Sequence, residues 1–436
     1  MRTDFDVIVA GGGPAGSSVA NLLRQRGRRV VLFERDRFPR FHVGESLLPY
    51  SNSCWEELGV LDALNAGFQK KPGARFIHEE SGEHFTYYFD TAMREGPTHA
   101  FHVKRADFDK LLLDRAREVG VDVREQTKVT DVSFAADGVT AQILGQDGQR
   151  SAVTAQMFID ATGRDTLIAG KRGLKQADEL ITTNVSLNCM YAGVAREQTL
   201  EEGNVIIGLF DGGWYWVIPF KDGDTSVGFV LEKSYTRVRR GLGISEMYAQ
   251  VLDTLPALKH LMRDARQTIE PFSEGNWSYT VKQTYGDRWL LVGDSASFVD
   301  PLFSTGILLS TNAARRAAEH VDAALADGDF RAARFASYAE KCVEETRIFK
   351  TLIHEFYAQN LRSLLIASSV NPTVCSIIVS VLAGDVAQPA MWHSLVGKPG
   401  FSNISADQFK GLAGSYASSR EVLAASKLPR ARRPNA

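Results

Sequence analysis

The first hydrophobic positions of the chain come in two short runs. Residues 6–10 and 29–34 are apolar almost throughout, which is typical of strands buried on both faces of a parallel sheet. Residues 15–26 lie between the runs and have helical composition, and Gly27 ends that segment. The pattern therefore predicts a strand, a helix and a second strand at the start of the chain.

Farther along, continuous apolar runs give way to alternation. Alternating apolar and polar residues predict strands at 121–132, 139–144 and 153–160. Longer antiparallel strands are predicted at 203–210, 214–220 and 225–231, followed by a helix over 244–262. Another buried strand at 289–294, a long helix over 307–325 and a mostly helical region after residue 330 complete the expected elements.

Composition narrows the class of protein. The 436 residues allow roughly two or three domains, and 44% hydrophobic with 23% charged residues is ordinary globular composition. A net charge of −2 argues against a nucleic-acid partner. The four cysteines are scattered, which argues against a metal site and favours a reduced compartment. No run approaches the ~20 uninterrupted apolar residues that span a bilayer, so we expect a cytoplasmic protein without a membrane partner.

The first predicted strand runs directly into a glycine-rich turn. Gly11, Gly13 and Gly16 have the G-x-G-x-x-G spacing of dinucleotide-binding folds. Gly11 permits the tight turn, Gly13 lets the backbone approach a pyrophosphate, and Gly16 lets helix and strand pack closely. Glu34 ends the second strand, where its carboxylate can accept hydrogen bonds from a ribose. The unit predicts a dinucleotide site that also includes Ala15 at the start of the helix.

Two later segments suit the same kind of site. Residues 160–164 end an apolar strand in a small-residue turn, and Gly293 and Asp294 end another strand before a helix. A carboxylate and helix N–H groups at one locus suit the ribityl chain and pyrophosphate of a flavin. With these segments in this order, the chain resembles flavoproteins of the aromatic-hydroxylase type. The resemblance implies FAD as the cofactor, Asp294 as a cofactor ligand, and Arg105 as the arginine that packs beside the flavin.

Two tryptophans point to one branch of that superfamily. Trp214 and Trp216, followed by Ile218 and Pro219, match the W-x-W-x-I-P pattern of flavin-dependent halogenases. Alternating aromatic residues on a strand are usually core, but tryptophan is rare, and only six occur in the chain. The resemblance implies a catalytic role for the pair: it keeps the organic substrate away from the activated oxygen and so suppresses direct hydroxylation.

A lysine supplies the second halogenase feature. Lys71 stands two residues before Gly73 and resembles the active-site lysine in the K-x-G segment of these halogenases, a spacing that the adjacent Lys70 does not fit. The resemblance implies that Lys71 receives hypohalous acid. An ammonium group would hydrogen-bond the oxidant, whereas a neutral amine would form a haloamine, and burial of the lysine decides between these forms through its pKa.

The third feature is the segment D-P-L-F-S-T-G-I at residues 300–307. The corresponding run in flavin-dependent halogenases lies beside the flavin, which assigns cofactor contacts to Pro301, Gly306 and Ile307, and halide contacts to the backbone amides of Thr305 and Gly306. N–H groups at a helix N-terminus favour an anion. Tryptophan halogenases carry a glutamate where this chain has Phe303. The substitution favours a substrate that activates itself, such as a phenol or a pyrrole.

The G-E-S-L segment at residues 44–47 also matches the halogenases, in which it lies near the flavin. The resemblance implies cofactor contacts for Arg40 and Ser46, although Arg40 could equally form a structural ion pair. The motif order is closest to phenol and pyrrole halogenases of natural-product pathways, several of which act on an aromatic unit tethered to an acyl or peptidyl carrier protein. It implies that reduced FAD, oxygen and chloride or bromide give hypohalous acid, which halogenates an electron-rich ring.

The expected fold is mixed α/β. A Rossmann-like FAD-binding domain is assembled from residues 1–75, 100–180 and 285–330, with an inserted antiparallel sheet domain at 76–99 and 181–284. A C-terminal helical region at 331–415 and a polar tail at 416–436 follow. Because only one dinucleotide fingerprint is present, no segment remains for a nicotinamide domain. The chain should therefore need a separate NAD(P)H-dependent flavin reductase.

Three other functions share some of these features. An FAD-dependent aromatic hydroxylase would use the same cofactor motifs but would not need Lys71 or the tryptophan pair. A geranylgeranyl-reductase-like enzyme would need a long apolar groove, which the helical C-terminal region could line. A flavin-binding or redox-sensing protein without catalysis would also keep the fingerprint. The lysine and tryptophan motifs favour the halogenase over all three.

Overall fold

A computed structural model describes residues 3–178, 184–196, 203–239, 241–275, 278–358, 361–366, 372–386 and 418–426. The strands over these residues, in chain order, are β1 Phe5–Ala10, β2 Val30–Phe33, β3 Gln69–Lys71, β4 Gly73–His78, β5 His84–Tyr88, β6 Ala100–His102, β7 Asp122–Arg124, β8 Thr127–Ala135, β9 Gly138–Gly145, β10 Arg150–Asp160, β11 Lys175–Ala177, β12 Val185–Ala192, β13 Val205–Phe210, β14 Gly213–Pro219, β15 Asp224–Leu231, β16 Arg266–Gln267, β17 Phe272–Gly275, β18 Tyr279–Val281, β19 Tyr285–Gly286, β20 Trp289–Leu291 and β21 Ser297–Phe298.

The helices pack on both faces of two large sheets. They are α1 Pro14–Gln25, α2 Asn52–Glu57, α3 Leu61–Gly67, α4 Arg105–Glu118, α5 Leu167–Lys171, α6 Lys233–Arg237, α7 Ile244–Asp253, α8 Pro256–Met262, α9 Gly306–Asp327, α10 Ala336–Tyr357, α11 Arg362–Ile366, α12 Pro372–Leu382 and α13 Ser419–Ser426. Within the described ranges, none of these helices combines the length and the apolar character that crossing a membrane requires.

The first sheet contains the start of the chain. Its main path runs β19–β20–β10–β1–β2–β7, and β8 and β9 extend it beyond β10. β1 pairs in parallel with β2 and with β10, and β10 pairs in parallel with β20. The carboxyl ends of these strands therefore meet at one edge of the sheet. Helix α1 connects β1 to β2 and packs against α4 and α9. The predicted strand–helix–strand unit is confirmed.

The second sheet follows the order β16–β12–β15–β14–β13–β4–β5, and β17 also pairs with β12. Its neighbouring strands are antiparallel except for β13 and β4, which are parallel. One face packs against α7 and α8, and the other packs against the C-terminal helices α10 to α12. The mixed α/β fold with an inserted, largely antiparallel sheet is thus as predicted.

One predicted element is wrong in detail. The single helix expected over 244–262 is two helices, α7 and α8, which are separated at Leu255. Leu255 has φ −116° and ψ 87°, outside the helical region, because the ring of Pro256 disfavours helical geometry at the preceding residue. Proline is well placed in the first turn of the second helix, where no intrahelical N–H bond is lost.

The predicted domain boundaries stay predictions, but the described elements bear on the C-terminal third. Helices α10, α11 and α12 fall within the predicted helical region, of which residues 359–360, 367–371 and 387–415 lie outside the described residues. Helix α13 lies within the predicted polar tail. Its Val422 is 2% exposed, and Ser419 Oγ accepts a hydrogen bond from the backbone N–H of Tyr88 at 2.8 Å. This part of the tail is therefore docked on β5.

Candidate active site

A cavity of about 1350 Å³ lies between the carboxyl ends of the parallel strands and one face of the second sheet. Fourteen residues singled out from the sequence line it: Gly11, Gly13, Ala15, Glu34, Arg40, Ser46, Arg105, Trp214, Trp216, Asp294, Pro301, Thr305, Gly306 and Ile307. The other two lie just outside the lining, Gly16 inside the glycine turn and Lys71 behind Ser46. Segments nearly 300 residues apart in the chain thus meet at one cavity.

The glycine turn has the geometry that a bound pyrophosphate requires. Gly11 has φ +105°, and a Cβ atom there would overlap the carbonyl oxygen of Ala161. A Cβ atom on Gly16 would overlap the carbonyl oxygen of Gly11, so the helix can approach the strand only with glycine at this position. Gly13 instead opens toward the cavity. Glu34 Oε2 accepts a hydrogen bond from the Gly12 N–H at 2.7 Å and fixes the turn against β2.

Arg105 and Arg40 share one buried carboxylate. Arg105 donates from Nε to Asp109 Oδ1 at 2.7 Å and from Nη2 to Oδ2 at 2.9 Å. Arg40 Nη1 reaches Asp109 Oδ2 at 3.2 Å. Asp109 has no exposed surface, so its charge is balanced by these guanidinium groups. Asp109 was missed from the sequence, although its i,i+4 spacing from Arg105 on α4 could have indicated the pair.

Two further acids face the cavity with altered protonation. Burial raises the pKa of Asp294 to about 6, and the positive charge of Arg105 opposes the rise. Burial likewise raises the pKa of Glu45 to about 7, against a hydrogen bond from Ser226. At neutral pH Asp294 is therefore mostly ionised and can accept hydrogen bonds, whereas Glu45 can exchange a proton with a neighbour.

Trp214 and Trp216 lie on the cavity face of β14. Their ring centroids are 5.8 Å apart, and both side chains are buried. Trp216 donates from Nε1 to Ser226 Oγ at 3.1 Å, and Trp214 donates from Nε1 to the hydroxyl of Tyr357 at 3.1 Å. Both indole rings are thus held by a hydrogen bond as well as by packing. Ser226 was also missed; its place on β15, beside the tryptophan strand, was the available signal.

The predicted halide segment forms a tight turn before α9. Ser304 has φ +58°, and α9 begins at Gly306. Thr305 is fully buried, and its Oγ1 has no hydrogen-bond partner among the described residues. A Cβ atom on Gly306 would meet no atom within 4 Å, so the first turn of the helix opens on free space. The N–H groups of a first helical turn have no intrahelical acceptors and can bind an anion there.

Phe303 does not face the cavity. The side chain is 4% exposed and packs in the apolar core between the second sheet and the C-terminal helices, with its ring centroid 6.4 Å from that of Phe356. The position at which tryptophan halogenases carry a glutamate is therefore apolar in both sequence and surroundings.

Lys71 is a buried lysine that forms no ion pair with any acidic side chain in the part of the chain that the structure describes. It is 2% exposed, and its Nζ donates to Ser46 Oγ at 2.8 Å and to the Leu47 carbonyl at 3.1 Å. Lys71 is paired with Ala100 in the β3–β6 ladder, and Ser46 forms a bridge with His102 at the other end of β6. Burial lowers the pKa of Lys71 to about 7, so ammonium and neutral amine coexist near neutral pH. The adjacent Lys70 is exposed.

A parallel sheet with a glycine turn, opening into a cavity that it shares with a second sheet, is the arrangement of a dinucleotide-dependent oxidoreductase. Residues 6–171 match the FAD dependent oxidoreductase family, and residues 90–363 match the tryptophan halogenase family. The chain belongs to the tryptophan halogenase family and is a flavin-dependent halogenase, with FAD as its cofactor and a halide as co-substrate.

Similar proteins agree with this assignment. The chain is 31% identical to the 1H-pyrrole-2-carbonyl-[peptidyl-carrier protein] chlorinase of Pseudomonas fluorescens over 412 residues, which cover 88% of this chain and 90% of that protein. Among solved structures, a flavoprotein/dehydrogenase from Cytophaga hutchinsonii has a TM-score of 0.85 and 28% identity, covering 93% of this chain and 99% of that one. The flavin-dependent brominase Bmp2 has a TM-score of 0.80 and 27% identity, covering 90% and 98%.

Proposed function

We propose that this enzyme halogenates a pyrrole or phenol ring that is tethered to a carrier protein, and that Lys71 delivers the halogen. The observation that carries the proposal is the position of Lys71. Its Nζ is bonded to Ser46, and Ser46 lines the cavity that the glycine turn and the tryptophan pair also line. Oxidant formed in the cavity would therefore reach Lys71 Nζ at the point where Ser46 separates the amine from the cavity.

The cavity suits FAD. The glycine turn is packed closely against backbone at Gly11 and Gly16 and opens toward the cavity at Gly13, where a pyrophosphate could approach. Arg105, Arg40 and Asp294 would contact the flavin, while Glu34 fixes the turn that carries the phosphates. When bound, reduced FAD with oxygen supplies the oxidising power that converts the halide into hypohalous acid.

The halide would bind at the start of α9. The backbone N–H groups at Thr305 and Gly306 supply positive potential, and the helix dipole favours an anion at this end. The buried Thr305 hydroxyl has no other partner among the described residues and is available to the halide. Pro301 and Ile307 line the cavity on either side of this turn.

The tryptophan pair would separate the two halves of the reaction. Trp214 and Trp216 are buried, hydrogen-bonded and in contact with each other on the wall that faces the cavity, so they would present a fixed aromatic barrier to an organic ring. Small hypohalous acid could pass where an aromatic ring could not. This separation favours halogenation over direct hydroxylation.

The protonation of Lys71 would set its chemistry. Near pH 7 the ammonium form can donate a hydrogen bond to hypohalous acid, and the neutral form can attack the halogen and form a haloamine. Both forms are populated because burial brings the pKa to about 7. Either form holds electrophilic halogen at a fixed position for the ring.

The substrate class follows from what the site lacks. Phe303 leaves no carboxylate at the position of the glutamate that assists indole halogenation, so the ring must be activated by its own electrons. Pyrroles and phenols meet this requirement. The similarity to a chlorinase of a carrier-bound pyrrole favours a tethered ring.

The chain should also depend on a separate NAD(P)H-dependent flavin reductase, and its four free cysteines favour the cytoplasm.

Mass spectrometry of reaction products tests the proposal. The enzyme is supplied with reduced FAD, oxygen and chloride or bromide, and offered free phenols and pyrroles beside the same rings loaded on a carrier protein. We expect halogenated product with the loaded rings and none from Lys71→Ala or Lys71→Met enzyme that still binds FAD. A hydroxylated, halogen-free product at full rate would overturn the proposed function, and full halogenation by both lysine variants would overturn the role of Lys71.

A further inference from the structure

One tyrosine hydroxyl joins the tryptophan wall to the halide turn. Tyr357, the last residue of α10, accepts a hydrogen bond from Trp214 Nε1 at 3.1 Å and donates one to Asp300 Oδ2 at 2.9 Å. Asp300 in turn accepts a hydrogen bond from the Leu302 N–H on Oδ1 at 3.0 Å. The chain of hydrogen bonds therefore runs from β14, through the end of α10, into the turn that precedes α9.

The protonation states of Tyr357 and Asp300 fix which group donates and which accepts in this series of hydrogen bonds. Burial and the neighbouring Asp300 carboxylate raise the pKa of Tyr357 well above its usual range, so the phenol keeps its proton. Burial raises the pKa of Asp300 to about 6, so the carboxylate is mostly ionised at neutral pH. An indole N–H can only donate, which leaves the tyrosine hydroxyl to accept from Trp214 and donate to Asp300.

Each member is held on its other side. Trp214 is 2% exposed and packs against Trp216, and Asp300 is 3% exposed with its second oxygen already bonded to Leu302. Rotation of the Trp214 ring would break its bond to Tyr357 and leave a buried N–H unpaired. Movement of the turn would leave a buried carboxylate underbonded, which is more costly because the acceptor is charged.

We propose that Tyr357 is a positioning residue that fixes the distance between the Trp214 wall and the halide-binding turn at 300–306. The inference rests on the proposed function, since it gives the wall and the turn the roles stated above. Among the described residues, Tyr357 supplies the hydrogen bonds of α10 to both the tryptophan wall and the turn, whereas its neighbour Phe356 contacts Phe303 of the turn by packing alone. Loss of the Tyr357 hydroxyl should loosen both Trp214 and the 300–306 turn, and it removes no group that touches the reactants.

The first test needs neither cofactor nor substrate. Tyr357→Phe removes only the hydroxyl, and Tyr215→Phe is a matched control. Tyr215 also donates to a carboxylate, Glu79 Oε2 at 2.8 Å, but it points to the opposite face of the same strand. Amide hydrogen exchange is measured by mass spectrometry on the cofactor-free proteins. We expect exchange of the 298–306 peptide to be about tenfold faster in Tyr357→Phe and unchanged in Tyr215→Phe.

The second test uses the enzyme loaded with FAD and measures how completely the oxidation of reduced FAD is coupled to halogenation. Hydrogen peroxide released for each reduced FAD oxidised is compared among wild type, Tyr357→Phe, Trp214→Phe and the double variant. We expect about a fivefold larger peroxide fraction in Tyr357→Phe and a higher KM for chloride at unchanged FAD affinity. The tyrosine change should have a smaller effect in Trp214→Phe than in wild type, because the Trp214–Tyr357 hydrogen bond is already gone and only the Tyr357–Asp300 bond remains to be lost.

The outcomes separate the two proposals. Unchanged exchange at 298–306 in Tyr357→Phe, or additive effects with Trp214→Phe, would refute the positioning role while leaving halogenation intact. Equal exchange changes in both tyrosine variants would also refute it, because a general loosening of the fold would then explain them. Loss of all halogenation in the wild type would instead refute the proposed function, whatever the exchange rates show.

Discussion

Replacing Lys71 by methionine separates the cost of burying the ammonium group from the chemistry that it performs. Methionine keeps most of the apolar stem and removes the charge. The wild-type group is 2% exposed and its pKa falls from an ordinary 10.5 to about 7. The folded protein therefore binds the Lys71 proton more weakly than the unfolded chain does, and the fold is destabilised wherever that proton is present.

The size of this effect depends on pH. Below pH 7 both states are protonated, and the difference between 10.5 and about 7 corresponds to about 5 kcal/mol at 1.36 kcal/mol for each pH unit. Between pH 7 and 10.5 only the unfolded chain keeps the proton, so wild-type stability rises with pH across this window. Methionine leaves Ser46 Oγ and the Leu47 carbonyl without their donor, at a cost of about 1–3 kcal/mol each. These terms place Lys71→Met between about 1 kcal/mol less stable and about 3 kcal/mol more stable than wild type at pH 7. By pH 9.5 the difference should move by about 3 kcal/mol in favour of wild type.

Urea unfolding of the cofactor-free proteins at pH 7.0, 8.0, 9.0 and 9.5 measures these differences. Lys70→Met is the control: Lys70 is exposed, so its replacement should change the free energy of unfolding by less than about 0.5 kcal/mol at every pH. A difference between Lys71→Met and wild type that does not change with pH would refute the argument from the buried ammonium. Halogenation should be lost in Lys71→Met in either case.

Three further predictions follow from single contacts. Gly16→Ala places a Cβ atom on the carbonyl oxygen of Gly11, and FAD affinity should fall at least about tenfold in a fluorescence titration, with helix content unchanged. Asp109→Asn removes the buried charge shared by Arg105 and Arg40 and should lower the free energy of unfolding by about 3–5 kcal/mol in urea. Thr305→Val removes an unpartnered buried hydroxyl; the KM for chloride should rise several-fold while thermal stability holds or increases. An unchanged chloride KM would remove the hydroxyl from the halide site.

The sequence predicts best what neighbouring residues determine. The unit of β1, α1 and β2, the glycine turn and the start of α9 follow from residues close together in the chain, and they appear where expected. The break between α7 and α8 is also determined by neighbouring residues, because Pro256 disfavours helical geometry at Leu255. It was not predicted because the apolar residues keep a helical period across the break. By contrast, the site roles of Asp109 and Ser226 depend on contacts with other elements, Arg40 for Asp109 and Trp216 for Ser226, which the spacing along their own helix or strand does not specify.

Lys71 shows why the site could be located but not described from the sequence. Its spacing from Gly73 identified the right lysine, yet β3 and β6 have three residues each and lack a periodic pattern. Their pairing places Lys71 opposite Ala100, and the lysine amine is buried against Ser46 and the Leu47 carbonyl, which lie more than 20 residues earlier in the chain. Burial at this position lowers the pKa of the amine, and the same burial costs folding stability. A lysine kept at such a cost is explained better by chemistry than by packing, because an apolar side chain of similar size would fill the space with greater stability.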